Sequence, residues 1–273
     1  MKILIATDME GITGVTTWDQ VTPGHAEYAR FRKQMTEDVN AAIRGAFEAG
    51  ADEVIVADGH WNGSNILIEE FDARARLNTG SPSPFSMMQG IDESVDGVIF
   101  IGYHARNGSP QAILDHTWSS KTVGNIWLND ILTGEYGLNA AVAGHFGVPV
   151  IMASGDQTAC EQVTDLLGEV ETAIVKQASG RFAAECLSPD VTRDMICLSA
   201  QRAVERLAEG DVPNPFVLDL PITVAIEFFT SDMADRASLV PFTKREGTRV
   251  SFTAPEMDII YRGFRAMVTL ASG

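Results

Sequence analysis

Asp8 and Glu10 stand one residue apart, directly after the apolar run Ile3-Leu4-Ile5-Ala6. In an extended chain, residues two apart point the same way. Both carboxylates therefore aim at one point just past the end of that run. Two like charges so placed repel unless a proton or a cation lies between them, and a metal ion is the simplest resolution. Two later apolar runs end in imidazoles. Val54-Ile55-Val56-Ala57 leads into Asp58-Gly59-His60, and Val98-Ile99-Phe100-Ile101-Gly102-Tyr103 leads into His104. If the three runs are parallel strands of one sheet, Asp8, Glu10, His60 and His104 converge at one edge. Such a donor set suits zinc or another divalent first-row metal.

Each residue taken singly also has a plainer explanation. Acidic residues are common in turns after strands, and Asp8 could cap local amides. His60 and His104 could be hydrogen-bonded interior histidines. By pattern alone Glu135 reads as a first-turn helix carboxylate stabilised by the macrodipole. His116 lies in a polar stretch, Ala105 to Ser120, and is either a surface histidine or a general acid–base group. His25 and His145 are expected to be non-catalytic. It is the coincidence of four ligand-type residues at three strand ends that favours a metal site.

The elements that must position these groups follow from hydrophobic periodicity. Ile3 to Ala6 suits a strand buried on both faces. Thr16 to His25 is expected to be irregular, a lid or a partner contact. A helix is predicted from about Ala26 to Ala49, with Tyr28, Phe31, Met35, Val39, Ile43 and Phe47 on one face and Gly50 at its end. Residues 2–57 then form a right-handed β-α-β unit. Met87 to Ile91 reads as a short helix and Gly97 to Tyr103 as a strand. Asn125 to Leu132 is a short helix or strand. Glu135 to about His145 is a helix, and Pro149 to Ala153 a fourth buried strand. Further on, Ala173–Lys176, Ile222–Phe229 and Arg249–Thr253 read as strands, and Val191–Leu207 and Pro255–Thr269 as helices.

The predicted class is α/β, a mostly parallel sheet flanked by helices, with a smaller C-terminal α+β part. A boundary near 157 divides a metal-site domain, 1–157, from a part at 158–273 expected to serve oligomerisation and pocket completion. The chain of 273 residues can bury a substantial core. Its formal charge of −17 argues against nucleic acid or anionic membrane as a partner. No run is long enough to span a bilayer. Cys160, Cys186 and Cys197 form neither a zinc pattern nor a disulfide framework, and each is expected to be a small core residue. A cytoplasmic protein follows.

Other catalytic signatures are missing. Gly11-Ile12-Thr13-Gly14 lacks the third glycine of a dinucleotide fingerprint, and no phosphate loop, Gly-x-Ser-x-Gly elbow or His-Glu-x-x-His helix occurs.

At these residues the chain resembles the bacterial zinc D-aminopeptidases encoded in dipeptide-transport operons. The match runs through Asp8-Met9-Glu10-Gly11, Asp58-Gly59-His60, Gly102-Tyr103-His104, Asp115-His116-Thr117 and Gly134-Glu135, in order and spacing, over about half the chain. The resemblance implies two zinc ions per chain, with Asp8 bridging them and Glu10, His60, His104 and Glu135 completing the shells. It makes His116 the catalytic residue, and it implies a ring-like homodecamer with active sites facing an inner chamber. The expected activity is release of N-terminal D-amino acids, such as D-alanine, from short peptides by a hydroxide that two zinc ions activate. A hydrolase of another amide or a phosphoester, and a non-catalytic small-ligand binding protein, are the alternatives.

Overall fold

The computed structural model describes residues 1–273. The apolar run at the start forms β1 (Lys2–Thr7), and those ending at residues 58 and 101 form β2 (Glu53–Asp58) and β4 (Gly97–Ile101). With β3 (Arg76–Asn78), β7 (Val150–Asp156), β8 (Glu171–Gly180) and β9 (Ala183–Cys186) they make a seven-stranded sheet in the order β3-β2-β1-β4-β7-β8-β9. Only β9 runs antiparallel to its neighbour. From β1 the chain winds outward through β2 to β3, then returns to lay β4 on the other side of β1. That reversal is a topological switch point, where open α/β sheets have their ligand crevice.

Register brings the three motif ends level. Thr7 pairs with Asp58 on one side and Ile101 on the other, so Asp8, Gly59 and Gly102 all emerge at the same edge. Ile3, Leu4 and Ile5 are fully buried. Each such side chain contributes roughly 1.5–3 kcal/mol on leaving water. Ile3 and Ile5 face α2 (Tyr28–Glu48) and α5 (Pro189–Glu209), whereas Leu4 and Ala6 face the opposite core. The backbone of α2 comes so close to α5 that a Cβ on Gly45 would lie 2.1 Å from the Cys197 carbonyl oxygen.

A second sheet, antiparallel throughout, lies on the other side. Its order is β11-β12-β10-β5-β6, with β5 Val123–Leu128, β6 Ile131–Thr133, β10 Ile222–Phe228, β11 Lys244–Glu246 and β12 Arg249–Ala254. It shares one core with α3 (Glu135–His145), α7 (Met257–Ala271) and the Leu4 face of the first sheet.

One open reading resolves and one expectation, that Cys186 is a core residue, needs amendment. Both sheets take strands from either side of residue 157, because β8 and β9 extend the first sheet while β5 and β6 join the second. Asn125 to Leu132, open between a short helix and a strand, is the β5–β6 hairpin with its turn at 129–130: Val123, Ile126 and Leu128 are buried, and β5 pairs with β10. Cys186 is exposed, since edge strand β9 turns it to solvent, while Cys160 and Cys197 are buried. The irregular Thr16–His25 stretch holds one helical turn, α1 (Trp18–Val21), and two helices the periodicity did not mark are α4 (Gln157–Leu167) and α6 (Ser231–Ala237). No helix is long and apolar enough to cross a membrane.

Candidate metal centre

Asp8, Glu10, His60, His104, His116 and Glu135 meet at the switch point, and all six are buried. His60 Nδ1 lies 3.1 Å from Asp8 Oδ1 and 3.2 Å from Glu10 Oε2. His104 Nε2 lies 3.3 Å from Asp8 Oδ2 and 3.0 Å from Glu135 Oε1. Asp8 thus stands between two groups, using one oxygen toward each imidazole. Glu135 arrives from the first turn of α3, and its Oε1 also accepts a 2.7 Å hydrogen bond from the Trp118 amide.

Each imidazole is oriented by a backbone carbonyl behind it. His60 Nε2 donates to Val21 O at 2.7 Å, His104 Nδ1 to Ala105 O at 3.0 Å, and His116 Nδ1 to Leu114 O at 2.9 Å. In a neutral ring those bonds would use its one proton, so that the nitrogen facing the carboxylates is the one free to bind a metal. Metal-binding histidines are usually held this way. The Val21 carbonyl comes from α1, inside the expected loop, so that loop is part of the centre's support. The His60 loop is itself tied down: Asp58 accepts from the Asn65 and Ile66 amides, and Asn65 Nδ2 donates to the His60 carbonyl.

His116 is set back. Its Nε2 is 4.0 Å from Glu10 Oε1 and 3.8 Å from Glu135 Oε1, and its ring stacks on His104 at 3.9 Å between centroids. Trp18 packs edge-on against it.

Charges in the cluster sort by position. Burial acts to raise the Asp8 carboxyl, but the facing imidazoles of His104 and His60 outweigh it and hold Asp8 well below the carboxylate range. Burial wins at Glu10, which sits above its usual range. Burial opposes the charge of His60 and His104, yet the carboxylates of Glu10 and Asp8 at one, and Glu135 and Asp8 at the other, raise both well above an ordinary histidine. Burial, and then the charge of His104, push His116 well below.

The cluster has the features of a cation site. Glu10 Oε2 and His104 Nε2 are buried and aligned for no hydrogen bond with any protein group. Such groups are normally satisfied. Two sets of ligand atoms, from Asp8, Glu10 and His104 and from His104, His116 and Glu135, each lie within 4.8 Å of one another. The donor chemistry fits zinc. The cluster opens into a cavity of about 680 Å³, walled also by Trp18, Trp61, Trp118, Lys121 and Arg265. His25 is on that wall, 3.2 Å from Asp19, while His145 is exposed in the last turn of α3.

Fold and cavity define an α/β protein with a polar, histidine-and-carboxylate crevice at the switch point of its sheet. The D-aminopeptidase family, peptidase M55, matches residues 1–266. The chain is 37% identical to a D-aminopeptidase of Bacillus subtilis, an alignment covering 99% of this chain and 98% of the relative. A solved structure of the Zn-dependent D-aminopeptidase DppA from Bacillus subtilis, described as a self-compartmentalizing protease, superposes with a TM-score of 0.96 at 36% identity, covering 100% of this chain and 98% of that one. The chain belongs to the D-aminopeptidase family and is a peptidase.

Proposed function

We propose that the protein is a zinc-dependent aminopeptidase that removes N-terminal D-amino acids from short peptides, using two zinc ions per chain. The observation that supports the metal centre is the orientation of the histidines: one ring nitrogen of each is spent on a backbone carbonyl, and the other points toward the carboxylates, where it would bind a metal once deprotonated. A zinc pair supplies a nucleophile from water at neutral pH and a Lewis acid for the peptide carbonyl.

This chain's residues then have separate tasks. Asp8 would be shared between the two ions, with Glu10 and His60 holding one and His104 and Glu135 the other. His116, set back and held in its neutral form, takes the proton and returns it to the leaving amine. Trp18, packed on the His116 ring, excludes water from the imidazole edge. The cavity has room for a short peptide, and sites of this kind are commonly some 300–1,000 Å³. Arg265 and Thr269 of α7 stand on its wall, consistent with pocket completion by the C-terminal part. The relative's self-compartmentalizing character supports assembly into a closed homo-oligomer, a homodecamer in this reading, with the cavity facing inward. The three free thiols are compatible with a cytoplasmic location.

The test is hydrolysis of D-Ala-D-Ala beside L-Ala-L-Ala, each with and without a chelator. Chelator-sensitive cleavage of the D form alone is expected. Equal cleavage of the L form would remove the stereochemical part, and chelator-insensitive cleavage would remove the metal.

A further inference from the structure

Lys176 stands on β8, three strands from β1, with its side chain buried to 1% exposure. Its Nζ donates to three carbonyl oxygens: Glu10 at 2.7 Å, Ile12 at 2.9 Å and Val15 at 2.8 Å. An ammonium has three protons and no acceptor. All three are used here, and all on the loop that follows β1. Three carbonyl acceptors around one nitrogen are the setting of an ammonium rather than of a neutral amine, which has only two protons to give. A buried charge without such partners is strongly unfavourable.

The same loop is gripped elsewhere. The Thr13 amide donates to Asp38 Oδ2 at 3.0 Å, and the Thr13 hydroxyl bonds Thr192 at 2.9 Å. Gly11 lies against the chain just past β4 so closely that a Cβ would clash with the Tyr103 carbonyl oxygen. Glu10 is the residue at the mouth of this loop. Its carboxylate faces only imidazoles, Oε2 at 3.2 Å from His60 Nδ1 without hydrogen-bond alignment and Oε1 at 4.0 Å from His116 Nε2, so the main chain that carries it shares in setting its direction. The main-chain carbonyl of that very residue is the shortest of the three Lys176 contacts.

We propose that Lys176 is a positioning residue for Glu10: by holding the carbonyls of Glu10, Ile12 and Val15, it aims the Glu10 carboxylate at the His60 side of the cluster and so sets the affinity of that side for a divalent metal. The proposal rests on the metal centre proposed above. It makes Lys176 selective, acting on the metal that Glu10 and His60 hold and sparing the one at His104 and Glu135.

The experiment is a zinc and a cobalt titration of metal-stripped wild type and Lys176→Met, reading ions per chain, affinity by chelator competition, and the cobalt absorption spectrum. Wild type is expected to take two ions. Lys176→Met is expected to keep one at wild-type affinity and to bind the other roughly 10–100-fold more weakly, the range seen when groups behind a ligand are removed, with the cobalt spectrum altered for that ion alone. Two ions at unchanged affinity, or equal weakening of both, would overturn the proposal. If wild type binds no metal, the metal centre itself falls and this role falls with it. Should Lys176→Met fail to fold, wild type decides. The chain has only five lysines, Lys2, Lys33, Lys121, Lys176 and Lys244, so reductive methylation can be followed residue by residue. Coupling is reciprocal, so metal must tighten the Lys176 grip if Lys176 tightens metal. Lys176 is expected to react slowest of the five, and more slowly with zinc than without. A Lys176 rate indifferent to zinc would refute the coupling.

Discussion

His104 and His116 stack with ring planes 15° apart, yet their affinities for protons move in opposite directions. His104 meets Glu135 and Asp8 at 3.0 and 3.3 Å and is raised. His116 lies beyond them, feels burial and the charge of His104, and is lowered. One imidazole therefore sits where a cation is wanted, and its neighbour is kept neutral at pH 7.

That contrast predicts the effect of His116→Ala. On the proposed two-zinc reading, both ions should stay bound, because His60, His104 and the carboxylates are untouched. Turnover should fall by roughly 10²–10⁴, the usual contribution of a general acid–base group. Metal content and kcat measured on one preparation check this. If the variant loses an ion instead, His116 is a ligand.

Asp8→Ala should behave differently. Asp8 Oδ1 faces His60 and Oδ2 faces His104, so its removal weakens both positions at once. Metal analysis should find neither ion retained, and activity should be absent. A variant that keeps two ions and full turnover would mean the bridging role is wrong.

Acidification should release the metals, because protons compete for His60 and His104. The metal-free protein has its own pH dependence. A histidine whose folded pKa is raised adds stability fully below its unfolded value near 6.5, and that stability is lost as pH rises through the raised folded value. Asp8 is shifted the other way, so its contribution persists until strong acid. The gap in melting temperature between zinc-loaded and stripped protein should therefore widen from pH 6 to pH 9. Calorimetry with and without chelator at both values would check it, and a constant gap would contradict the assignment.

Gly102→Ala tests how closely the strand ends must meet. Gly102 has φ +75°, and a Cβ there would lie 2.3 Å from the Asp8 carbonyl oxygen. Strain of this kind costs on the order of 1–3 kcal/mol, and relief would push the β1 loop off β4. Lower thermal stability and weaker metal retention are expected together. Loss of stability with metal affinity intact would show that the loop can shift without moving Asp8.

Local chemistry made much of this readable in one dimension. Apolar runs bounded by Asp8, His60 and His104 specify buried strands with polar ends, since period and burial are properties of neighbours along the chain. Glu135 at a helix start, and His116 in a polar stretch, were visible as residue types but ambiguous in role. The chain alone did not disclose that residues 123–133 leave the first sheet for the second, because pairing partners lie about a hundred residues away. Nor did it disclose the carbonyls that orient the histidines. A backbone oxygen such as that of Val21 has no signature in a side-chain alphabet. Lys176 left only a faint mark, a charge at the end of the apolar run Ala173–Val175. Sequence determined which groups are available at the strand ends; tertiary structure alone decided which face one another, because that depends on strand order, register and contacts between distant segments of the chain.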